Sequence, residues 1–139
     1  MNFEQKYKEY LSYSKEKLIE IGKKNGKKLI ETMDTMYGDK DKSFAVFMKL
    51  YGTFVAIDLD VNEEEYNMFK MITGVDSSYL EFVDACRQSY DFDVIKEVDY
   101  IVDHNSEIKL LVNDLGLAIC AYDGKITNEE KALIERYWN

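Results

Sequence analysis

Not one proline interrupts the 139 residues of this chain. Proline lacks a backbone N–H and clashes with the preceding turn, so its absence removes the strongest local reason for a helix to stop. Apolar residues recur at spacings of three and four almost from end to end, the period of a helix buried along one side. The expected fold class is all-α, a bundle of seven to eight helices. A chain of 139 residues builds one core of ordinary size, so a single domain is expected.

The pattern divides as follows. A first helix is expected from Phe3 to Ile21, capped by Asn2 and broken by the Gly22 to Gly26 stretch. A second should end at Gly38, and GDKDKS reads as a loop. From Ser43 to Ile57 the residues are apolar nearly all round, the mark of a helix enclosed by others. Glu63 to Thr73 should end at Gly74, Ser78 with Glu81 has the form of a capping-box start, and Phe92 to Asp103 follows with Phe92 inward. Glu107 to Tyr122 is again enclosed, and Asn128 to Trp138 closes the chain.

Charge narrows the partners. The formal net charge is −9, and residues 1–30 carry eight Lys against four Glu, so a basic N-terminal stretch precedes an acidic body. Such a body repels phosphates, which excludes nucleic acid as the expected partner. No apolar run nears the roughly 20 residues that a bilayer crossing needs, and the start MNFEQKYKEY is too polar for a signal-peptide core. The expectation is a cytoplasmic protein that does not itself span a membrane. Cys86 and Cys120 fit no metal or redox spacing and read as buried free thiols.

The most informative feature is a repeat. With an offset of 65 residues, LYGTFVAIDLDVNEEEYNMFKMI from Leu50 and LGLAICAYDGKITNEEKALIERY from Leu115 align without gaps, with five identities in 23 positions. The identities are Leu50/Leu115, Ala56/Ala121, Asp58/Asp123, Glu64/Glu129 and Glu65/Glu130. The copies sit in repeats of about 43–73 and 106–138. Asn62 and Thr127 are good N-caps, and Glu65 and Glu130, three residues on, can reach back to the cap N–H. Gly124 suits a left-handed position after a helix; Leu59 holds that place in the first copy.

Asp58 and Asp123 are not explained by capping. They fall where a helix ends, and there the macrodipole disfavours a negative charge by about 0.3 to 1 kcal/mol. Two compensations are open: an Asx-type turn, in which the carboxylate accepts N–H bonds from the residues that follow, or a cation held between the Asp and the Glu seven residues on.

The pattern A-x-D-G-x-I-x-x-x-E, here Ala121, Asp123, Gly124, Ile126 and Glu130, resembles the tellurite-resistance TerB family, whose fold also occurs in membrane-anchored DnaJ-like proteins. The first copy, Ala56, Asp58, Val61 and Glu65, matches except for Leu59 in the glycine place. The resemblance covers roughly residues 43–138. It implies a TerB-like helical bundle whose two helix-turn-helix repeats pack about an approximate twofold. It also implies a non-enzymatic role in the stress response of tellurite or metal resistance, and a divalent cation (calcium, magnesium or manganese) held by Asp58, Glu65, Asp123 and Glu130. The alternative is an interaction module that binds no metal, its acidic face docking a basic or membrane-associated protein partner.

Other chemistry is poorly served. Asp58-x-Asp60-x-Asn62 imitates the opening of a calcium loop, but Glu63 stands at the glycine position and Phe69 at the bidentate glutamate position. His104 is the only histidine, without the partner spacing of a zinc or di-iron site, and reads as a helix C-terminal cap. Asp93/Glu97 and Asp99/Asp103 are like-charge pairs four apart, read as a solvated face.

Overall fold

The computed structural model describes residues 2–57, 61–89 and 92–138, with backbone alone for Ser89, Phe92, Asp93 and Val94. The described residues form eight α-helices and no strand, as the apolar period requires. Asp58, Leu59 and Asp60 lie outside them, as do the expected inward side chain of Phe92 and the Asp93 member of the acidic pair.

The N-terminal third departs from the sequence expectation. Asn2 and Gln5 close a capping box on α1 (Phe3–Ser12), which stops at Tyr13, where the backbone turns extended. Ser14 then caps α2 (Lys15–Tyr37), a helix that runs straight through Gly22 and Gly26. These glycines are points of close approach, not breaks. A Cβ on Gly22 would lie 2.5 Å from Ile72 Cδ1, and one on Gly26 3.3 Å from the Phe47 ring. The loss of helix propensity is about 1 kcal/mol each, offset by the close packing of Ile72 and Phe47 at these positions.

Gly38 ends α2 in the left-handed region, φ 65°. The next segment is not a loop: Asp39 accepts from the N–H groups of Asp41 and Lys42 and caps α3 (Lys40–Ala56). There follow α4 (Glu63–Thr73), α5 (Tyr79–Ser89), α6 (Phe92–His104), α7 (Ser106–Ala121) and α8 (Asn128–Glu135). Gly74 terminates α4 at φ 70°, and Ser78 Oγ accepts the Glu81 N–H at 3.2 Å to start α5.

The core gathers around α3 and α7. Phe47, Tyr51 and Phe54 of α3 and Val112, Leu115 and Ile119 of α7 are buried together. Tyr51 meets Phe69 edge-on at 5.2 Å, and Phe69 meets Phe82 at 5.1 Å, tying α3, α4 and α5. Phe44, expected inside, is 39% exposed. α1 is pinned to α7 by polar groups: Lys6 Nζ lies 2.6 Å from Asp114 and donates to Asn113 Oδ1 at 2.7 Å, and Tyr10 donates to Asp114 at 2.9 Å. Asn113 in turn donates to the Ile134 carbonyl of α8. A network with every member bonded fixes which helices meet, because leaving one member unpaired costs about 1–3 kcal/mol.

Candidate functional site

The repeat is reproduced in register. α3 and α7 end at the aligned residues Ala56 and Ala121, and α4 and α8 begin at the aligned Glu63 and Asn128. Both capping boxes form. The Asn62 N–H donates to Glu65 Oε1 at 3.1 Å and the Glu65 N–H to Asn62 Oδ1 at 2.9 Å. Thr127 N–H donates to Glu130 Oε1 at 2.9 Å, and Glu130 N–H to Thr127 Oγ1 at 3.2 Å. Both glutamates are buried, Glu65 4% and Glu130 2% exposed, so they are first of all structural parts of their turns.

Asp123, half-buried, takes the Asx arrangement: its Oδ1 accepts the Lys125 N–H at 3.3 Å, while Gly124 occupies φ 92°. That bond offsets the unfavourable dipole at the end of α7. The equivalent Asp58 lies outside the described residues.

Three of the four nominated acids nevertheless act on one centre. The Cys120 thiol is driven well above its ordinary pKa by burial first, then by Glu130 as charge and hydrogen-bond acceptor, then by Glu65 and Asp123. Cys86 is pushed up to about 12 by burial and then by Glu65. Tyr51 also belongs here: burial, then Glu65, raises its pKa well above normal, and its hydroxyl, fully buried, has no hydrogen-bond partner among the described residues. Both thiols are free and buried, as expected, and inert as nucleophiles because thiolate is suppressed.

Sequence reasoning did not find Tyr51. Its position in an apolar helix reads as core, and Glu65 reaches it only through the packing of α4 on α3. The His104 expectation fits: it ends α6, exposed, with Nδ1 2.8 Å from the Tyr100 carbonyl. A carbonyl can only accept, so Nδ1 carries the proton.

Glu65, Glu130 and Asp123 each already accept a backbone N–H. Among the described residues, no three of His, Cys, Asp and Glu form a group that could hold a metal ion. Nor is any described helix long and apolar enough to cross a membrane. No protein-family model, curated protein or solved structure matches this chain.

Proposed function

We propose that this chain is a cytoplasmic, non-enzymatic interaction domain of TerB-like kind, acting in a stress response of the tellurite or metal-resistance type through an acidic surface that docks a basic protein partner. One observation carries the reading. The acids that looked chemical, Glu65, Glu130 and Asp123, are occupied by their turns, whereas the exposed acids Asp76, Asp84, Asp103 and Glu107 enter no ion pair among the described residues. Exposed, unpaired charge of one sign steers and selects partners more than it stabilises the fold.

The test is capture of partners at low and at high salt by wild type and by Asp103→Lys with Glu107→Lys. A partner released by salt and lost on charge reversal supports the reading; capture indifferent to both overturns it. The cation reading has a narrower support, the convergence of three carboxylates on Cys120. It predicts that millimolar calcium, magnesium or manganese shifts the backbone amide signals of residues 123–130. Unmoved signals would end it.

A further inference from the structure

We propose that this chain docks on copies of itself head to tail, Leu80 and the acids around it seating in a lysine-rimmed groove between α2, α3 and α4. The inference goes beyond the basic-partner reading, and either can fail alone.

The groove follows from the helical period of α2. Lys23, Gly26, Lys27 and Ile30 stand at i, i+3, i+4 and i+7 and so face one way, toward Phe44, Phe47 and Ile72 of the neighbouring helices. Because Gly26 has no side chain, the Phe47 ring and Ile72 floor a cavity of about 360 Å³. A cavity of roughly 150 Å³ already admits a benzene ring, so a leucine side chain and a neighbour have room. Lys24 and Lys28, also exposed, carry the positive charge around the next turn. None of the four lysines enters an ion pair among the described residues. Glu31, at one end, is the only acid in the lining. An apolar floor under a cationic rim selects an apolar side chain with an anionic collar.

The same molecule presents one. Leu80, in the first turn of α5, is 74% exposed, more than any other large apolar residue described. Asp84, one turn on, shares its face, Glu81 is adjacent, and Asp76 lies in the segment just before the helix; all three are exposed. No packing among the described residues explains a leucine there. Contact through one apolar anchor and a charged collar falls below the roughly 1,000 Å² of a stable interface. The association is therefore weak, concentration-dependent and screened by salt. A contact between two different patches adds chains in sequence and does not close at two copies.

The experiment is sedimentation of the purified full chain over a wide concentration range. Wild type should gain mass beyond two chains as concentration rises, and lose that gain in high salt. Lys23→Glu with Lys27→Glu breaks the groove and leaves the anchor; Leu80→Ser with Asp84→Lys does the reverse. Each alone should remain monomeric. Their equimolar mixture should form one-to-one pairs and nothing larger, which also shows that both variants are folded. A mixture no more associated than its parts overturns the proposal, as does a wild type that stays monomeric while the groove variant alone loses binding to anionic phosphatidylserine vesicles.

Discussion

The two copies of the repeat share caps, helix ends and buried glutamates, and differ most where α3 has Tyr51 and α7 has Gly116. In the first copy a large ring fills the site and brings a hydroxyl that finds no partner among the described residues. In the second, glycine leaves the site open, and Phe54 of the first copy moves in: a Cβ on Gly116 would stand 2.6 Å from Phe54 Cε1. The copies are therefore not interchangeable. A repeat that keeps its caps can still specialise its helix interface, because caps are fixed by local hydrogen bonds and interfaces by volume across the pair.

The largest expected effect is alkaline unfolding. Cys86 and Tyr51 in the first copy's surroundings and Cys120 in the second all have folded pKa values above those of the unfolded chain. The folded state then holds protons the unfolded state has released. Stability is fully present below the unfolded value and is lost as pH rises toward the folded one, for Cys86 between about 9 and about 12. Urea titrations at successive pH values should show a steep fall across that window, with the tyrosinate absorbance of the buried Tyr51 appearing only on unfolding. Tyr51→Phe should flatten the fall and change neutral stability little, since it removes a hydroxyl buried without a partner. An unchanged alkaline limb in that variant would show that Tyr51 is not where the copies differ in protonation.

Next in size is Gly116→Ala, expected to cost about 2 kcal/mol, because a rigid buried ring must yield and overpacking outweighs the gain in helix propensity. Gly22→Ala meets only the flexible end of Ile72 and should stay within about 0.5 kcal/mol. Denaturant midpoints of the two variants check the ordering; equal losses would mean that the Phe54 seat is not special.

The capping glutamates follow. Glu65→Ala and Glu130→Ala should each cost about 1–2 kcal/mol, since an N–H loses its acceptor at a part-buried turn, and Gln should recover most of it by serving the same cap. Thermal melts of the four variants measure this. Should Gln prove as damaging as Ala, the carboxylate charge matters for something other than the cap.

What was legible follows the range of the interaction. Both capping boxes, the stops at Gly38 and Gly74 and the enclosed helices rest on residues within a turn of one another, and the sequence shows them directly. The break at Tyr13 and the continuity through Gly22 and Gly26 were not legible, because a glycine reads as a stop unless one knows that Ile72 and Phe47 press against it. Asp39 could have been found: an Asp followed by a helix-forming run is a cap signal, hidden here inside a charged segment that resembles a loop. The Lys6, Asn113 and Asp114 network joins residues more than 100 positions apart, and no local pattern announces it. The convergence of Glu65, Glu130 and Asp123 on Cys120 was likewise beyond reach, although three of its members were singled out individually.

The smallest expected effect carries the sharpest contrast between structural and chemical readings of the repeat. Asp123→Asn keeps an oxygen able to accept the Lys125 N–H and removes a negative charge from the C-terminal end of α7, where the dipole disfavours it. Without metal, stability should change by no more than about 0.5 kcal/mol in either direction. A turn needs only the acceptor, whereas a cation needs the charge. Melting wild type and Asp123→Asn with and without manganese separates these demands: matched curves under both conditions leave Asp123 a turn residue. A manganese-dependent rise confined to wild type would make it a ligand, held at a turn whose glycine stands at φ 92°.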